Sequence, residues 1–320
     1  MTTATQEAVA AEVARYSAAL ATVKASAEAT VQGLWLSLDD WYDEALAAAL
    51  AAQSAGVSIT AQQAVIGATK QYVTAVVGIL NGRRAPIPAV RTRPIRNGTH
   101  LPLVYLRAAE AYRRAIAFGA DPQEALKQAL NRAGGLVATD ISLSAQLMQD
   151  GLMDALGVTT YRRVIRPELS ESGSCGLCIA ASNQIYYVGT LLPIHPPHCK
   201  CITLPIVDGN DPGRDLNEDD LKRLYDDAGG TSARALKRTR YKVNEHGELG
   251  PVIGKKSDNF RSQKNVPLED DPERAARMLE RILPTLESLE KRAAAGEDVS
   301  GPLMYQLGLV ERLRRITGGP

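Results

Sequence analysis

All four cysteines of this 320-residue chain, Cys175, Cys178, Cys199 and Cys201, fall within 27 residues, and two of its four histidines, His195 and His198, lie among them. The spacing constrains what this stretch can fold into. Cys175-Gly-Leu-Cys178 leaves two residues between thiols, so a tight turn can aim both sulfurs at one point, and Gly176 tolerates the backbone of such a turn. Cys199 and Cys201 stand at i and i+2, which share a face in an extended strand. Twenty residues separate the two pairs, enough for a hairpin to bring them together. Tetrahedral zinc takes four soft or borderline ligands, and the segment offers six candidates. The four cysteines are the expected set, with His195 as the first substitute and His198 as the next. Four protein ligands leave no open position for water, which points to a structural metal. The plainer alternative is four reduced cysteines. Disulfides are disfavoured, because the N-terminus MTTATQEAVAAEVARY lacks the basic and apolar blocks of a secretory signal.

The rest of the chain reads mostly as alanine-rich helix. Apolar residues from Val9 to Trp41 step by three and four, which predicts one long helix or two in line over residues 4–52. Its alanine-rich seam suits a bundle with neighbouring subunits, a homo-oligomer, or packing within its own domain. Gly56 is the expected stop and Thr60 the expected cap of the next helix. Residues 102–157 return to helix. One helix runs around Leu106–Ile116, a second opens at Asp121-Pro-Gln-Glu124, and a third spans Asp140 to Leu156, with Gly157 as its stop. Short strands follow at Thr160–Arg166, Ile185–Val188, Leu191–Ile194 and Cys201–Val207. A polar turn at 208–214 leads to helices expected at 217–228 and after Thr231. Tyr241–Val243 and Pro251–Ile253 read as strands around the turn Asn244–Gly250, where His246 belongs to the turn. A polar linker over 255–270 precedes a helix opened by Asp271-Pro272-Glu273. Pro284 is expected to kink or divide it, and a last helix carries Leu303 to Ile316. This pair suits docking onto another protein or packing back on the helical domain.

Between these helices lies NGRRAPIPAVRTRPIRNGTHLP, residues 81–102, whose prolines and Asn-Gly pairs exclude a regular helix. It holds Arg83, Arg84, Arg91, Arg93 and Arg96. No Asp or Glu occurs from Ala45 to Ala109, 65 residues that contain seven cations. The net charge of +1 hides this local positive field, which suits DNA phosphate or an acidic protein surface. No interleaved aromatics mark a base-stacking surface.

The cysteine run carries a resemblance. CGLC…LLPIHPPHCKC, with RRVIRPEL before it and NEHGELGPVI after it, resembles the phage head-morphogenesis or minor capsid family of MuF-like proteins, in the version of actinobacterial tailed phages. The closing run His195-Pro-Pro-His198-Cys199-Lys200-Cys201 is one residue longer between its first histidine and the next cysteine than the usual form. The resemblance covers about residues 155–255. It implies a non-enzymatic virion component made in the host cytoplasm, entering the procapsid near the portal. It also implies contacts with portal or major capsid protein, and with packaged DNA.

The remaining sequence bounds the alternatives. The length allows about two domains, and 45% apolar residues allow a real core, though aromatics are only 5% and Phe occurs twice. No run of 18 apolar residues exists, so no transmembrane helix is expected. There is no G-x4-GK[ST], no G-x-G-x-x-G after a strand, no H-E-x-x-H and no G-x-S-x-G. The zinc deaminase spacing is absent as well. A zinc-containing nuclease or other DNA-binding metal protein is the alternative function. The expected fold is mainly α. It comprises a helical domain over 1–157 with the basic linker 81–102, a zinc-stapled α+β module over 158–256, and a linker with a helical tail over 257–320.

Overall fold

The computed structural model describes residues 2–166, 176–189, 201–218, 241–255 and 268–318. The expected strand 191–194, most of the expected helix 217–228, the helix after Thr231 and most of the linker 255–270 lie outside them. Within them the chain is mainly helical. Helix α1 is Thr3–Leu36, α2 Glu44–Leu80, α3 Leu101–Tyr105, α4 Arg107–Ala117, α5 Pro122–Ala155, α6 Gly176–Ser182, α7 Pro272–Ala294 and α8 Ser300–Thr317. Strands β1 Thr160–Val164, β2 Ile185–Tyr187 and β3 Ile202–Ile206 form one antiparallel sheet in the order β2-β1-β3. Strands β4 Tyr241–His246 and β5 Gly250–Lys255 form a separate hairpin. Among the described residues no helix is long and apolar enough to cross a membrane.

Two helices are longer than their local signals suggest. α2 runs through Gly56 and Thr60 without a break. Its small buried face, Ala47, Ala51, Ser54, Ala55, Ser58, Ala61 and Val65, continues at helical spacing across the glycine. A glycine costs a helix about 1 kcal/mol, less than giving up that face would. The true start of α2 is Asp43, whose carboxylate accepts from the N–H groups of Ala45 and Leu46 at 2.8 and 2.9 Å. α5 opens at Asp121, capped to Gln123 and Glu124 at 2.9 Å as expected, and then continues past Asp140. Asp140, the expected start of a third helix, is fully buried inside α5. Likewise Asp271 caps α7 through Arg274 N–H at 2.9 Å, while Pro284 stands inside that helix without dividing it.

The chain groups into two compact units that cut across the chain-order domains expected from the sequence. Unit 1 is Met1–Ala29, Val57–Gly98 and Gly135–Ser262; unit 2 is Thr30–Gly56, Thr99–Gly134 and Gln263–Pro320. In unit 1 a buried polar chain fastens the sheet to three helices. The rings of Tyr16 on α1 and Tyr72 on α2 stack with centroids 4.2 Å apart. Tyr72 Oη donates to the Thr203 carbonyl of β3 at 2.9 Å. Thr203 Oγ1 donates to Gln149 Oε1 of α5, and Gln149 Nε2 donates to Tyr16 Oη at 3.3 Å. Tyr16 Oη also pairs with Thr69 Oγ1 at 2.9 Å. Burial pushes the Tyr16 hydroxyl up to about 12, against the lowering effect of its Thr69 and Gln149 hydrogen bonds.

In unit 2 the aromatics cluster. Trp35, Trp41 and Tyr112 stack in series at 5.8 and 4.5 Å, and Trp35 Nε1 donates to Ser54 Oγ at 3.1 Å. Arg113 donates to the Trp41 carbonyl at 2.6 Å and lies 4.8 Å from the Tyr305 ring centroid. Ala117 of α4 shares a small core with Leu289 of α7 and with Val299. The C-terminal helices therefore pack back on helices of their own chain, the second of the two expectations for them.

Tyr72→Phe leaves the Thr203 carbonyl without this donor, a loss of about 1–2 kcal/mol. Gln149→Leu strips partners from both Tyr16 and Thr203 and should cost more. Denaturant unfolding of the two variants checks the order.

Candidate functional site: the basic strap and the cysteine run

The basic segment leaves α2 through a glycine cap. Gly82 adopts a left-handed φ of 65°. Its N–H donates to Ile79 C=O at 3.2 Å, and Arg83 N–H donates to Gly78 C=O at 3.0 Å. These are the two hydrogen bonds of a Schellman termination. The chain then folds back so tightly that a Cβ on Gly78 would meet Arg83 O at 3.0 Å. Farther on, Val90 sits against α5, where a Cβ on Gly151 would lie 2.6 Å from Val90 Cγ1. Ile95 and Arg96 are buried, 8% and 4% exposed. From Val90 at Gly151 to Arg96 at Asp140, the segment runs antiparallel to α5 within unit 1. It is a strap pinned at three places.

Arg96 departs from the expectation that it meets phosphate. Its Nε donates to Asp140, one Nη to Glu248, and the other to Leu136 C=O at 3.2 Å. Ser58 Oγ donates to the second Asp140 oxygen at 2.9 Å. Burial on its own lowers the Arg96 pKa, but the charges of Asp140 and Glu248 outweigh it and the net shift is upward. Glu248 comes from the turn between β4 and β5, and Asn97 Nδ2 donates to Gly247 C=O of that turn at 2.7 Å. Arg96, Asn97 and Gly98 take φ of 53, 51 and 79°, a left-handed run. Such a conformation costs an arginine on the order of 1 kcal/mol. The sequence marks the Asn-Gly turn, but nothing in it links Arg96 to a carboxylate 152 positions away.

The other four arginines, Arg83, Arg84, Arg91 and Arg93, are exposed. Beneath the strap Asp150 is nearly buried, at 6%, and accepts from Gly189 N–H at 3.2 Å. Burial raises its pKa; Gly189 and the nearby Arg93 charge pull the other way without cancelling it.

Of the expected metal ligands, Cys175, Cys199 and His195 lie outside the described residues, as does His198. Cys178 is buried on α6, which packs against β1. Cys201 is partly buried and directly precedes Ile202, the β3 partner of Val164 on β1. The two described cysteines thus both adjoin the central strand, one from each half of the expected set. Asn217 secures this corner: its Oδ1 accepts from Ile165 N–H at 3.0 Å, and its Nδ2 donates to Arg163 C=O at 2.7 Å and Ser182 C=O at 3.3 Å. Arg162 adds a two-point ion pair to Asp211, at 2.8 and 2.6 Å, and a bond to Ser182 C=O at 3.1 Å. Cys201 also lines a cavity of about 20 Å³ with Tyr16, Lys24, Gln149 and Thr203, room for about one water. Among the described residues no three His, Cys, Asp or Glu side chains group to hold a metal.

No known family model, curated protein or solved structure matches the chain.

Arg96→Met leaves two carboxylates buried without their cation and should cost about 3–5 kcal/mol of stability. Combining it with Asp140→Leu and Glu248→Leu should recover much of that loss in denaturant unfolding. Asp150→Asn tests the raised carboxyl. A carboxyl raised in the folded state contributes stability below its unfolded pKa and loses it as pH rises through the folded value. The variant should therefore gain on the parent at pH 7 and match it in strong acid, in unfolding measured across that range.

Proposed function

We propose that the chain is a non-enzymatic minor capsid, or head-morphogenesis, protein of a tailed phage, acting in procapsid assembly near the portal. The observation that carries this reading is the spacing CGLC…HPPHCKC, set before a short buried strand and followed by NEHGELGPVI. The mainly helical architecture with a small sheet and a separate hairpin is consistent with it. In this reading Cys175, Cys178, Cys199 and Cys201 hold one structural zinc, with His195 or His198 replacing one member of the Cys199–Cys201 pair where the ligand set includes a histidine. Zinc there supplies a cross-link and no open coordination position, so the action is binding. The module recognises portal or major capsid protein, and the long helices supply the bridging surface.

The site chemistry supports a binding role over the nuclease alternative. Three carboxylates around the strap already have partners: Asp140 holds Arg96 and Ser58, Glu248 holds Arg96, and Asp150 accepts from Gly189.

The test is the position of the chain in particles. Labelled protein co-produced with portal and major capsid protein should appear in procapsid images at the portal vertex. Label absent from particles, or cleavage of plasmid DNA by purified chain with added divalent metal, would contradict the proposal.

A further inference from the structure

We propose that Arg83, Arg84, Arg91 and Arg93 form a pre-ordered binding track for the phosphodiester backbone of nucleic acid. This deepens the DNA contact that accompanies the capsid reading, and it rests on geometry the sequence does not reveal. A basic linker between domains is ordinarily a solvated loop. Here the segment is fixed at its start by the Gly82 cap, in its middle by Val90 on Gly151, and at its end by buried Arg96. The arginines between those anchors are held on the surface while the backbone stays put, so little ordering entropy remains to be lost on binding.

Their charge is also unanswered. None of the four forms an ion pair within 4 Å among the described residues. Cations on the helices, such as Arg15, Lys127 and Lys291, each have a glutamate three or four positions away. Asp150, which interacts with Arg93, is buried, and its charge is disfavoured by that burial, so it offsets Arg93 only in part. No other charge in the strap opposes the four, because the segment contains no Asp or Glu.

The surface offers charge without the features of a protein hot spot. It has no aromatic residue from Arg83 to Asn97, and Ile87 is its one exposed large apolar residue. Protein interfaces draw their energy from desolvated aromatic and apolar anchors, which this strap lacks. Backbone binding needs only cations along an extended track, and that is what is present. Arg96 takes no part, since its guanidinium is spent on Asp140 and Glu248.

The experiment is fluorescence anisotropy of full-length protein with a short DNA duplex of arbitrary sequence, over about 50 to 200 mM salt. Four phosphate contacts predict a slope of log K against log salt of about −3.6, from about −0.9 per contact. Changing all four arginines to Gln should flatten the slope towards zero, and changing all four to Lys should keep most of it. Thermal unfolding of the variants should stay close to the parent, because the four side chains are exposed. A Gln variant that binds as the parent does would overturn the proposal. A Lys variant as weak as the Gln variant would overturn it as well. So would a polyglutamate peptide that binds more tightly than the duplex, which would identify an acidic protein as the ligand. The assay uses only purified chain and duplex. Its failure therefore removes this inference alone, and the capsid reading still stands or falls on the particle images.

Discussion

A guanidinium taken out of water has to be answered by carboxylates, and Arg96 is answered by two. The cluster gathers four separate stretches of unit 1: Ser58 of α2, the end of the strap, Leu136 and Asp140 of α5, and Glu248 of the β4–β5 turn. None of these lies close to another in sequence. Ser58 Oγ adds a hydrogen bond to the second Asp140 oxygen. Such a cluster adds little net stability over apolar packing, but it is costly to break, because any single loss strands a buried charge. Its effect is to fix arrangement: the strap cannot lift at Ile95, nor the hairpin turn move away, without exposing or orphaning an ion.

The Tyr16–Tyr72–Gln149–Thr203 chain does for the sheet what Arg96 does for the strap. β3 is buried at each of its five residues and, among the described residues, pairs with β1 alone, while helix residues reach its other side. Tyr72 Oη takes one of its carbonyls, and Gln149 takes the Thr203 hydroxyl. Pro205 is accommodated there, since an edge strand can lose an N–H without breaking a ladder bond. The sheet, the strap and the hairpin therefore share one frame of α2 and α5, with exposed arginines on one part of it and Cys201 beside another.

Much of this was legible where the signal was local. Asp121 and Asp271 as caps, Gly157 as a stop, and the positions of the described strands follow from side chains acting within a turn of themselves. The sequence misleads where burial overrides such signals. Gly56 looks like a stop because a glycine weakens a helix, yet the small buried residues around it keep α2 whole. Asp140 looks like the start of a separate helix; it stands instead inside α5, with its carboxylate the partner of Arg96. The five arginines look equivalent in composition, and only packing separates the buried one from the four exposed. For the metal ligands, spacing groups four cysteines and two histidines, and the fold places Cys178 on a helix packed against β1 and Cys201 directly before β3.

The proposed function rests on those cysteines acting together on one metal. Thiolates brought to one point without a cation would repel, and short strands with no Phe or Trp gain from a metal cross-link, which can contribute on the order of 10 kcal/mol to folding. X-ray absorption at the zinc edge on purified full-length protein reads this directly. The account predicts one zinc per chain in a shell dominated by sulfur, with at most one nitrogen. Protein that is folded and free of zinc, or a zinc shell dominated by oxygen and nitrogen, would contradict it.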